Sequence, residues 1–140
     1  MIELSLHEVG SYRCPSRANS LPVIAELLSK ETLELATKID LRELTLTPID
    51  AGPDDWFGQM SRSPLGIPGP TWELTANKPH FLVFDLFRLD DDDSPTPPPG
   101  SYHLAMRLDL YRKCASSFEK FSVAAKREIV LTENWSQKQR

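Results

Sequence analysis

The stretch "HFLVFDLFRLDDDDSPTPPPGSYHLAMRLDLYR", residues 80–112, sets the terms for the whole chain. Residues 80–89 are apolar on both parities, with Phe81, Val83 and Phe87 on one and Leu82, Phe84 and Leu86 on the other. That pattern predicts a central strand covered on both faces. From Tyr102 the chain alternates, with Leu104, Met106, Leu108 and Leu110 set against His103, Arg107 and Asp109, as a strand with one wet face does. The two runs predict an antiparallel hairpin whose tip is residues 90–101. Asp90 to Asp93 end the first strand by mutual repulsion and hydration, and the prolines after them lack the N–H groups that would extend a sheet.

The remaining pattern predicts both strands and helices. Ile2, Leu4 and Leu6 alternate with Glu3, Ser5 and His7, the period of a half-buried strand. A connection with Gly10, Pro15 and Asn19 as breakers follows. "SLPVIAELLSKE", residues 20–31, fits a helix: Asn19 or Ser20 caps it, Pro22 falls in the first turn, and Leu21, Ile24, Leu27 and Leu28 share a face. The helix frays before Ile39 and a strand runs over about 39–47; the apolar phase changes parity at Leu44, so a bulge near Glu43 is the other reading. Ser116 and Glu119 have capping-box spacing, and Cys114, Phe118, Phe121 and Ala125 recur at helical intervals, predicting a second helix that ends near Lys126 and Arg127. "REIVLTENW" supplies a last strand.

Six prolines and four glycines between Pro48 and Pro79 predict a long loop. Its large apolar residues, with Trp56, Phe57, Leu65, Ile67 and Trp72 foremost, either pack down or face a partner. The expected fold is α+β: a mostly antiparallel sheet of about five strands with two helices packed to one side. Residues 1–135 form one domain, and 136–140 a solvated tail.

Charge is distributed unevenly. Residues 1–100 carry eight Lys/Arg against sixteen Asp/Glu, whereas residues 101–140 carry eight against four, within a net charge of −4. Such polarity favours self-association or an oriented encounter unless folding intermixes the charges. On the helical reading Lys113, Lys120 and Lys126–Arg127, together with Arg107 and Arg112, could form one basic face for anionic membrane or RNA.

Chemistry-bearing motifs are sparse. There is no GxSxG, no Gly-rich turn entering a helix and no HExxH; the histidines stand alone at 7, 80 and 103. Four adjacent aspartates do not reproduce the alternate spacing of a calcium loop. Asp85, with His80 or His103 nearby, is the one carboxylate that invites a catalytic reading. Cys14 and Cys114 form no CxxC pair and read as buried free thiols. No cofactor or metal is expected. With no bilayer-length apolar run and no signal-peptide pattern, the expected location is intracellular.

"IELSLHEVGSYRCPSRANSLPVIAELL" resembles the strand, Arg/Pro-containing connection and helix near the start of rhabdovirus matrix-protein cores. "YHLAMRLDLYRKCASSFEKFSVAAKREIVL" is similar to the strand, helix and basic strand that close the bornavirus matrix protein. The resemblance implies a small, non-enzymatic α+β protein of the virion that self-assembles beneath an envelope and contacts lipid and nucleocapsid. Pro95, Thr96, Pro97 and Pro98 match a budding motif of the P-T/S-A-P kind except that proline stands where alanine belongs, and the run through Pro99 is a candidate partner motif in its polyproline form. The expected function is therefore a non-catalytic assembly or interaction protein whose partners are itself and another protein. The alternative is a small acidic binder of the immunity or inhibitor type that neutralises a basic partner.

Overall fold

Tyr102, Leu104, Met106, Leu108 and Leu110 keep the alternation read from the sequence, and all five are buried along the strand that organises the molecule. The computed structural model describes residues 2–7, 22–50, 57–60, 69–85 and 100–131. Over these the strands are β1 (Ile2–Leu6), β2 (Pro22–Ser29), β3 (Leu33–Ala36), β4 (Asp40–Pro48), β5 (Phe57–Met60), β6 (Thr71–Leu74), β7 (His80–Asp85), β8 (Gly100–Cys114) and β9 (Ser117–Leu131). They form a three-stranded sheet, β1-β2-β7, and a six-stranded sheet. In the latter β8 pairs with β9 along one edge and with β4 and β3 along the other, β5 and β6 lying outside these two. All pairings are antiparallel.

The α+β expectation is overturned: the described residues contain no helix, and both expected helices are strands. Over residues 23–29 burial alternates, with Val23, Ala25 and Leu27 fully buried and Ile24, Glu26 and Leu28 half-buried between them. A strand apolar on both faces also places Ile24, Leu27 and Leu28 at helical spacing, so the pattern fits either element. Ser116 belongs to a two-residue turn rather than a helix cap, and β9 runs back from it beside β8 for fifteen paired positions. Ala115 makes that turn with φ of 54°. A ladder of that length overrides the helix-favouring "AAKRE" segment.

Two further expectations change. β7 and β8 do not form a hairpin: β7 pairs with β2 in the small sheet, whereas β8 lies in the large one. The two strands thus belong to different sheets, and residues 86–99 between them, with the expected hairpin tip, lie outside the described residues. The span from 48 to 79 is no continuous loop either, because β5 and β6 fall inside it. The parity change at Leu44 does come from an irregularity in pairing: the register between β4 and β8 shifts between Leu41 and Glu43, leaving Arg42 as the extra residue.

The two sheets face each other across the core. Leu6, Val23 and Ala25 from the small sheet meet Leu44, Leu46, Leu104, Met106, Leu108 and Ile129 from the large one. A second cluster brings Ile2 and Leu27 against Leu33, Leu35, Leu74 and Leu110. Each such leucine contributes about 1.5–3 kcal/mol by leaving water, which makes inter-sheet packing the dominant stabilising term. At one margin β1 lies beside β9 without a ladder; the Arg127 Nη1 donates to the Leu6 carbonyl over 2.9 Å there. The adjoining groove, about 540 Å³, is lined by Ile2–Ser5 and Phe121–Ala124.

Candidate interaction surface

The outer face of the small sheet carries the least expected feature. Phe81 and Val83 are 52% and 68% exposed on β7, with Ile24 and Leu28 half-buried on the neighbouring strand. Across the ladder Val83 stands opposite Ile24, and Phe81 opposite Glu26. His7 lies on the same face: its Nε2 is 3.0 Å from Glu26 Oε1, and its ring is 5.6 Å from that of Phe81. The patch is therefore apolar with one ionisable pair at its side.

Backbone geometry makes this patch an edge as well as a face. The His7 N–H donates to the Ile24 carbonyl over 2.9 Å, so Ile24, Glu26 and Leu28 direct their backbone groups toward β1. Val23, Ala25 and Leu27 then direct theirs toward β7, where they meet Phe84, Leu82 and His80. By the same alternation Phe81 and Val83 direct their N–H and C=O groups away from β2. Among the described residues no strand pairs with that side of β7.

The outer face of the large sheet is polar. Asp40 and Asp109 stand opposite one another on β4 and β8, 5% and 4% exposed. Like charges so placed repel, and the bulge residue Arg42 offsets this with its Nε 3.4 Å from Asp109 Oδ2. Tyr111 donates to Asp40 Oδ2 and Ser122 to Asp109 Oδ1, each over 2.5 Å. The Lys38 ammonium lies 5.4 Å from the Tyr111 ring centroid. Among the described residues the buried Arg42 Nη1 has no hydrogen-bond partner. Further along, Glu43, Thr45, Thr47, His103, Ala105 and Lys126 line a shallow trough of about 320 Å³.

The six basic candidates do not form the expected stripe. As strand residues, Arg107, Lys113, Lys120 and Lys126 share the outer face of β8 and β9, whereas Arg112 and Arg127 belong to the other parity. Charges of the N-terminal part meet charges of β8 and β9 on this sheet. Glu43 is the cross-strand partner of Arg107, and Arg42 and Asp109 form an ion pair; Glu119 is opposite Arg112 and shares a groove with it and Glu31. Folding thus intermixes the two charge populations over this sheet.

Of the apolar loop candidates, Trp72 packs down: its Nε1 donates to the Ala36 carbonyl over 3.2 Å and its ring lies 4.3 Å from that of His80. Phe57 is paired with Leu46 in β5. Trp56, Leu65 and Ile67 lie outside the described residues, as do Pro95, Thr96, Pro97, Pro98 and Pro99 and the aspartates 90–93. Asp85, His80 and His103 are not gathered: His80 and Asp85 sit at opposite ends of β7, and His103 is in the other sheet opposite Glu128. Cys114 is a free thiol at the end of β8 but half-buried rather than buried, and Cys14 lies outside the described residues.

Phe81 and Val83 escape a sequence reading because a strand apolar on both faces looks the same whether its second face is covered or open. The Asp40–Arg42–Asp109–Tyr111 cluster escapes it because the register that assembles it joins residues about seventy positions apart. Comparison with protein-family models, with curated proteins and with solved structures finds no match to this chain.

Proposed function

We propose that this chain is an assembly protein that acts through non-covalent self-association rather than catalysis, and that the exposed side of its small sheet is the associating surface. The observation that carries the reading is the exposure of Phe81 and Val83 on a strand whose outward backbone groups meet no described partner. Soluble proteins blunt such edges with charge, proline or a covering element, because an open apolar edge is a template for pairing. Residues 80–84 carry no lysine, glutamate, aspartate or proline. The intermixed charges of the large sheet favour the same reading, since they leave apolar burial rather than long-range steering as the source of affinity.

Sedimentation velocity and light scattering over a wide concentration range test it. Mass-action growth of a dimer or larger species is expected, with loss of that growth in a Phe81→Lys, Val83→Lys double variant. A protein that stays monomeric at every concentration would sink the proposal. The matrix-type form implied by the resemblance adds a second demand, flotation with anionic vesicles through Arg107, Lys113, Lys120 and Lys126. The described residues hold no helix of the α+β core that the resemblance also implied, so that form rests on the vesicle result alone.

A further inference from the structure

We infer that the occupant of the β7 edge that no described strand pairs with is β7 of a second copy, paired antiparallel about a two-fold axis at Leu82, so that two three-stranded sheets become one six-stranded sheet. The inference rests on the self-association proposed above and specifies its geometry.

Parity restricts the register. Only Phe81, Val83 and the residue at 85 direct backbone groups outward, so a second β7 must place these odd positions opposite odd positions to exchange hydrogen bonds. Two central registers satisfy this. One sets Val83 opposite Val83 and Phe81 opposite Asp85, an apolar ring against a carboxylate-bearing residue. The other sets Leu82 opposite Leu82, and each Phe81 opposite Val83 of the other copy. The second register forms an aromatic–β-branched pair twice over, one of the favoured cross-strand combinations.

Charge and chain chemistry agree with that register. Lys78 lies just before β7 and Asp85 ends it, so antiparallel pairing brings the cationic end of each copy to the acidic end of the other. Pro79 falls at the next odd position beyond Phe81, where its missing N–H ends the new ladder. The other edge of the small sheet is a poorer template, because β1 lies beside β9 and its Leu6 carbonyl already accepts from Arg127. Isologous contact of this kind closes at two copies and leaves no free β7 edge.

The test uses the full chain and sedimentation equilibrium. Val83→Pro removes an outward N–H while the bonds to β2, made by Leu82 and Phe84, are untouched, and edge strands accept proline at such positions. It should keep the circular dichroism of the parent and weaken dimerisation roughly tenfold or more, whereas Val83→Ile should dimerise as the parent does. A charge-patterned pair supplies a second reading should the proline variant misfold. Phe81→Lys with Val83→Glu sets lysine opposite glutamate twice and should dimerise more tightly than Phe81→Lys with Val83→Lys. A folded Val83→Pro chain that associates as tightly as the parent, or equal association of the two charge variants, would overturn the pairing and leave self-association by another contact standing. A parent chain that never associates removes both.

Discussion

Tyr111 donates its phenolic hydrogen to Asp40 Oδ2 across 2.5 Å, tying together strands that are far apart in sequence. That hydrogen bond, followed by burial and by the charges of Asp40 and Asp109, pushes the phenol from its ordinary 10.0 up to about 12, against a lowering pull from Arg42. A phenol whose folded value is raised stabilises the fold fully below the unfolded value. The contribution is then lost as pH rises through the folded one. Stability should therefore fall between about pH 10 and pH 12 more steeply in the parent than in Tyr111→Phe. Phenolate absorbance titration should lose one late-titrating tyrosine in the variant, while Tyr102, whose phenol burial also raises, keeps its late titration. At neutral pH the variant should lose about 1–2 kcal/mol, the cost of leaving a buried carboxylate one donor short. Equal alkaline profiles for the two proteins would refute the assignment.

Arg42 forms an ion pair with Asp109, one of two buried carboxylate residues that the ladder sets face to face, the other being Asp40. Arg42→Met removes the cation paired with Asp109 and should cost about 2 kcal/mol in urea denaturation, a value moderated by the partial exposure of the arginine. Asp109→Asn in that background should restore about 1 kcal/mol, because one of the opposed charges is gone while the amide oxygen still accepts from Ser122. Strict additivity of the two single changes would show that the residues do not act as a unit.

The legible parts of this fold are those where one periodicity excludes the other. Ile2, Leu4 and Leu6, and the even residues from Tyr102 to Leu110, alternate too strictly to lie on one face of a helix, and β1 and β8 follow. The irregularity at Arg42 is visible because Leu41 and Leu44 cannot both face the core without it. β2 and β9 are not legible: "VIAELL" is apolar on both parities, and "AAKRE" favours helix by propensity, so only pairing with distant strands decides them. The same non-locality hides the candidate surfaces. Adjacency of β7 to β2 rather than β8 leaves Phe81 and Val83 open, and no local pattern encodes adjacency.

Ala115 makes the β8–β9 turn in the left-handed region at φ 54°, a conformation that costs a residue with a Cβ about 1 kcal/mol or more. Glycine is the favoured first residue of such two-residue hairpin turns. Ala115→Gly should therefore stabilise the chain by about 0.5–1 kcal/mol and raise the thermal midpoint by a few degrees, despite the added freedom of the unfolded state. Ala115→Val, with a branched Cβ at the same φ, should shift the midpoint the other way. A glycine variant less stable than the parent would show that the turn relaxes out of this conformation in solution.

Gly58 brings β5 against β4 more closely than any side chain permits. Its φ is 117°, and a Cβ built there would collide with the Leu44 carbonyl oxygen, a backbone atom that cannot swing aside. Gly58→Ala must therefore displace β5 from the ladder that joins Phe57–Met60 to Glu43–Leu46. The expected loss is about 2–3 kcal/mol, combining the strained φ with the broken pairing. Hydrogen exchange separates this from a global effect: amides of β4 and β5 should exchange faster, while the β8–β9 ladder and β2 keep their protection up to the new global limit. Because β5 lies in the large sheet and β7 in the small one, the dimer should survive the substitution under native conditions. Loss of association in a folded Gly58→Ala chain would move the interface away from β7.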